Sequence, residues 1–186
     1  MSKGRFAARV RELVTGQAML ERVVEPMLRA REALRVEFHV LHRAMLDLVR
    51  QDAVCRRLMT VPGVGALVAI TFASAVDDPA RFRRSRSLGA HFGLTPKRYQ
   101  SGETDVTGGI SKAGDAMVRA ALYEAANVML TRASKFSSLK RWALEVAKRR
   151  GMRRAKVALA RKLSTVLHRL WVDGSEFRFG KEVVAA

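Results

Sequence analysis

The sequence predicts an all-α protein: a long coiled-coil helix followed by a helical domain that contains a helix-hairpin-helix and one extended polar loop. Three observations predict it. Apolar residues recur at steps of three and four through most of the chain, the spacing that gathers them on one helical face. The stretch Val61-Pro62-Gly63-Val64-Gly65 separates a charged helical pattern ending near Met59 from an apolar one opening at Ala66. Proline stops the first helix, and the two glycines permit a tight turn. Residues 95–109, rich in Gly, Ser and Thr, have no helical period, so they read as an ordered or semi-ordered loop or a short hairpin.

Taken in order, residues 1–16 are basic and weakly patterned, an irregular start. Pro26 is tolerated in the first turn of a helix and therefore sets a helix start near Glu25. Met27, Leu34, Phe38, Leu41, Met45 and Leu48 then form a heptad seam that weakens at Asp52 and Cys55. The seam suits either one arm of an intramolecular antiparallel pair or a coil that dimerises through residues 25–57. Asp77-Asp78-Pro79 ends the apolar helix and opens the next element, and Ser85 is placed to cap a short helix closed by Gly93. Further helices are predicted from Lys112 to about Thr131, from Ser137 to Arg149 and from Met152 to Trp171. Trp142 and Trp171 fall at helical spacing, which favours core positions over base-stacking platforms. The division is 1–57, a basic segment and linker helix, and 58–186, the helical domain.

Composition narrows the partners. The 186 residues carry 35 Lys or Arg against 17 Asp or Glu, a formal charge of +18, which points to nucleic acid. The longest apolar run, Ala66 to Val76, is too short to span a bilayer, and no Lys-faced amphipathic helix suggests a membrane surface. One cysteine and four scattered histidines match neither a disulfide framework nor a zinc finger, and a cytoplasmic location is the default.

Phosphate contacts are predicted at two places. A tight hairpin leaves backbone amides unpaired at the start of the next helix, so Gly63, Val64 and Gly65 form a candidate anion site. From Ala80 to Arg98 the chain carries six basic residues and no acid. Arg81, Arg83, Arg84, Lys97 and Arg98 extend this positive surface, and Lys112 and Arg119 join it from the following helix. Ser111 follows two glycines and precedes a helix, the setting of an N-cap. Ser101, backed by Gly102, has no helix to cap and has backbone freedom for close approach to a phosphate. A serine hydroxyl needs a base or metal to take its proton and cations to stabilise the pentacovalent phosphate, and Arg98, Lys97 and Lys112 are the nearest cations.

The run LMTVPGVGALVAITFASAVDDPARFRRSRSLGAHFGLTPKRYQSGETDVTGGISKAGDAMVRAALYEAANVML resembles the C-terminal domain of insertion-sequence transposases of the 110/116/902 group. The preceding EPMLRAREAL and the later KVALARKLSTVLHRLW extend the resemblance along the chain. It implies an RNA-guided recombinase in which an N-terminal nuclease-like domain supplies four acidic metal ligands and the C-terminal domain supplies a serine nucleophile. Ser101 is the residue that aligns with that serine, with Ser111 as the alternative. The resemblance also implies DNA as substrate, a structured guide RNA, and dimers or tetramers joined through the linker helix. This chain begins within the linker, so Mg²⁺ is expected only with the nuclease-like domain and no cofactor is expected in the chain itself. Asp77, Asp78, Asp105 and Asp115 are explained by helix boundaries and a loop. Strand cleavage by the chain alone is therefore not expected. The reading from a different class is a non-catalytic helix-hairpin-helix module that binds nucleic acid and dimerises.

Overall fold

The computed structural model describes residues 5–101, 104–132 and 135–179, and it is mostly helical. Two compact units divide at residue 48.

In the first unit, α1 (Phe6–Val14) is followed by α2 (Ala18–Gln51), which continues past the division. Residues 6–14 are thus a helix, not an irregular start. Pro26 also lies inside α2 instead of opening it. A proline mid-helix forfeits one backbone bond, and the long helix carries on around it. Arg11 grips Glu25 through two bonds of 3.0 and 2.9 Å, and the Arg31 guanidinium lies 4.7 Å from the Phe6 ring centroid. The hydrogen bond from Arg11 holds the Glu25 carboxyl below its usual range, and Arg35 does the same for Glu32. Leu28 is buried, whereas the predicted seam residues Met27, Leu34, Phe38, Leu41 and Leu48 are exposed.

The second unit is built around α8 (Met152–Asp173), whose Leu159, Ala160, Leu163 and Leu167 are fully buried. Packed on it are α6 (Ala116–Thr131) and α7 (Ser138–Arg150), with the short α3 (Ala53–Leu58) and α5 (Leu88–His91). The apolar α4 (Ala66–Val76) lies against α6 and α3, placing Phe72 in the core beside Phe92. Asp52 ends α2 and caps α3 by accepting from the Cys55 amide at 2.6 Å. Cys55 is consequently a core residue of this unit, and burial, reinforced by Asp52, pushes its thiol up to about 11.

The polar stretch is a two-stranded antiparallel hairpin, β1 (Pro96–Ser101) and β2 (Thr104–Ile110). Both β1 faces are exposed, so no alternation of burial marked it as a strand. Helix α6 starts at Ala116, not at Lys112, and Asp115 is its cap, accepting from the amides of Met117 and Val118 at 2.7 and 3.1 Å. Ser111 therefore does not cap it. Ser85 does not cap α5 either; its hydroxyl meets His168 instead.

Candidate nucleic-acid interface

The α3–α4 hairpin is seated on α6. Gly63 has φ +85, and a Cβ there would lie 2.4 Å from the Ala125 carbonyl oxygen, so only glycine allows this approach. Val64 is buried in the core. Gly65 is exposed and open around its Cα, and no side chain caps α4 at that residue. Of the three predicted hairpin residues, the Gly65 end alone presents helix-start amides outward.

Helix α4 then carries the chain about 16 Å, at about 1.5 Å per residue, before Arg81, Arg83 and Arg84 appear. These arginines are exposed. Their segment is held to α8 by His168, which is buried and contacts the Pro79 carbonyl oxygen through Nε2 and the Ser85 hydroxyl through Nδ1, each at 2.9 Å. A carbonyl only accepts, so Nε2 carries the proton donated to Pro79.

Ser101 is exposed at the end of β1, paired in register with Thr104. Ser111 lies at the other end of the hairpin, its amide donating to the Thr95 carbonyl at 2.8 Å. At about 3.3 Å per residue, roughly 20 Å of strand separate the two serines, so they cannot share one phosphate. Lys112 stands beside Ser111, with φ +57 and its amide on the Gly93 carbonyl, and therefore does not flank Ser101 as the sequence suggested. Lys97 sits at the irregularity in the register between Pro96 and Arg98. Strand alternation places Arg98 on the face opposite Ser101, while Tyr99, 64% exposed, shares the serine's face. Arg119 is committed to the scaffold: one guanidinium nitrogen donates to the carbonyls of Phe92, Ala113 and Asp115 at 3.1, 3.2 and 3.4 Å.

The structure adds a feature that the sequence reading did not isolate. The hairpin base and one face of α8 enclose a groove of about 920 Å³. Its cations are Arg86, Arg153, Arg154, Arg161, Lys162 and Arg169, and among the described residues no carboxylate lines it. Its apolar lining comprises Leu94, Pro96, Ile110, Trp142, Val157 and Val166. Trp142 and Trp171 are both half-buried and pack against the core, and Trp142 also lines the groove, with the Lys162 ammonium 4.1 Å from its ring centroid. The signal available beforehand was the arginine-rich face of α8, but only packing shows that the hairpin closes it into a groove.

Among the described residues no three His, Cys, Asp or Glu side chains converge to hold a metal ion. No described helix is long and apolar enough to cross a membrane.

A mostly helical domain that presents a basic groove offers a surface suited to a polyanion. Residues 55–143 match the transposase IS116/IS110/IS902 family, to which the chain belongs. It is 38% identical over 127 residues to the transposase for insertion sequence element IS1111A of Coxiella burnetii, covering 68% of this chain and 35% of that protein. A probable family 20 transposase of Pseudomonas aeruginosa is 33% identical over 137 residues, 73% of this chain and 40% of its own length. The transposase for insertion sequence element IS1328 of Yersinia enterocolitica is 30% identical over 138 residues, 74% of this chain and 41% of its own. The chain thus spans well under half the length of these relatives.

Proposed function

We propose that this chain is the DNA-binding, serine-bearing part of a transposase, and that Ser101 is its nucleophile for strand transesterification within a larger assembly. The observation that carries this reading is the position of Ser101 at the exposed end of a hairpin whose base is one wall of a basic groove. DNA held by the groove runs toward the serine. The Ser101 oxygen attacks a backbone phosphorus, an Oγ–P bond forms, and one bridging P–O bond of the strand breaks. The hydroxyl proton passes to a base, and the leaving DNA oxygen takes up a proton. The Gly65 end of the α3–α4 hairpin adds a sequence-independent phosphate contact, as backbone amides read no base edges. Guide RNA, Mg²⁺ and a cytoplasmic site belong to the assembly that the family resemblance implies.

Trapping covalent adducts tests this. In a full-length relative carrying the same hairpin, Ser101→Ala abolishes labelled protein–DNA adducts on denaturing gels and leaves DNA affinity within a few-fold. Adducts that survive Ser101→Ala and vanish with Ser111→Ala, with the melting temperature unchanged, would assign the chemistry to Ser111.

A second reading, a non-catalytic binding and dimerisation module, is favoured by one observation: Phe38 and Leu41 stand 63% and 69% exposed on α2, an apolar seam suited to a second copy of the chain. The two readings share the homodimer. They part at Ser101→Ala, which changes nothing in a purely binding module.

A further inference from the structure

The groove between the hairpin base and α8 is lined in a way that distinguishes among nucleic-acid partners. A duplex presents phosphates and sugars on its outside and keeps its base faces stacked inside. A surface built only for duplex has no use for an apolar floor. Here the half-buried lining is apolar, with Ile110, Val157, Val166 and Trp142, while the cations are exposed and form the rim. A cationic track along an apolar or aromatic platform is the combination that holds a single strand, phosphates on the rim and unstacked bases against the floor.

The geometry of α8 fits this. Residues 153, 154, 157, 158, 161, 162, 165, 166 and 169 form one helical face along the groove. At about 1.5 Å per residue that face is about 24 Å long, which spans about seven nucleotides at the stacked spacing of about 3.4 Å and fewer where the bases are unstacked. Gly89 lets the stem of Arg161 lie across α5, since a Cβ there would fall 2.9 Å from the Arg161 Cγ. Pro96 and Gly109 line the groove at the base of the hairpin, and β1 runs from there to Ser101 at its other end.

We propose that this groove binds unpaired DNA, the single-stranded flank of the strand that reaches Ser101, with phosphates on Arg153, Arg154, Arg161 and Arg169 and at least one base on the floor. The proposal rests on DNA being the partner, as argued above. Continuity of the groove with the serine hairpin selects DNA over RNA. The cationic lining, with no carboxylate among the described residues, suits a polyanion, and a floor that accepts flat apolar rings favours a nucleic acid over an acidic protein.

Fluorescence anisotropy with the whole chain tests it, using four labelled probes: a 20-nucleotide single-stranded DNA, an abasic strand of equal length, the matching duplex, and RNA of the same sequence. Arg154→Gln/Arg161→Gln weakens single-strand binding at least tenfold and duplex binding by less than threefold, and it lowers the single-strand salt slope by about 1.4. Lys148→Gln/Arg149→Gln removes the same charge from α7, outside the groove, and costs less than threefold on either probe. The abasic strand binds wild type about tenfold more weakly than the normal strand. Equal loss of single strand and duplex, or equal affinity for abasic and normal strands, overturns the proposal. So does tighter binding of RNA than of DNA, or poly-glutamate displacing the strand as well as the abasic competitor does. A chain that binds duplex normally but shows no groove dependence sinks only this inference, whereas a chain that binds no nucleic acid sinks the proposed function with it.

Discussion

The two units use charge in opposite ways. Residues 1–48 hold 9 Lys or Arg against 6 acids, and three of those cations are spent on neighbours: Arg9 on Glu12, Arg11 on Glu25 and Arg35 on Glu32. Residues 49–186 hold 26 against 11, and the groove collects six cations around a space that no carboxylate lines among the described residues. Net charge alone would have treated both as one polyanion-binding chain. Where cations have acidic partners they stabilise local helix structure and are screened; where they converge without such partners their field adds up and waits for an anion.

The comparison can be broken or sharpened by mutation, and the largest expected effect lies at the apolar seam of the first unit. Phe38→Glu/Leu41→Glu converts a dimer to a monomer in sedimentation velocity and leaves the second unit's melting unchanged. A wild type already monomeric at tens of micromolar would remove the seam's role as an interface.

Next comes Gly63→Ala, which places a methyl against the α6 backbone at a positive φ and costs roughly 2–4 kcal/mol in chemical denaturation. Any loss of DNA binding should then follow the loss of folding. Gly65→Ala, at an open site, should weaken duplex binding by a few-fold without such a cost. His168→Leu strands the Pro79 carbonyl and the Ser85 hydroxyl and costs about 1–3 kcal/mol, releasing the segment that bears Arg81, Arg83 and Arg84.

Smaller effects separate the caps. Asp115→Ala costs about 1 kcal/mol, whereas Ser111→Ala, no longer a cap, costs less than about 0.5 kcal/mol. Cys55 provides a pH signature. Its thiol is neutral in the fold up to about 11, while the unfolded thiol ionises at its ordinary lower value, so the unfolded state binds fewer protons above that value. Its contribution to stability therefore falls as pH rises through the interval between the two, and a Cys55→Ala chain lacks that part of the slope.

Much of the second unit was legible because its helices announce themselves: α4, α6, α7 and α8 bury what their apolar period predicts, from Phe72 to Leu167. Boundaries failed where a local rule had two solutions. Pro26 marks a helix start in isolation, but a 34-residue helix absorbs one lost bond. Ser111 looked like a cap because glycines precede it, yet Gly114, at φ +76 against the His91 carbonyl, delays the helix so that Asp115 takes that place. The candidate site was legible only in part. Ser101 and the arginine run could be named from the sequence, but the distance between Ser101 and Lys112, the use of Arg119 as a clamp, and the groove over α8 depend on contacts between elements far apart in the chain.

The contrast between the units is tested most directly by the salt dependence of binding to single-stranded DNA. Two double variants that lose the same charge are compared, Arg9→Gln/Arg35→Gln in the first unit and Arg153→Gln/Arg169→Gln in the groove. The account predicts an unchanged log–log slope for the first and a slope shallower by about 1.4, two phosphate contacts at about 0.7 each, for the second. Equal slopes in the two variants would contradict it, because the groove's arginines would then be no more engaged with phosphate than arginines already paired with glutamate.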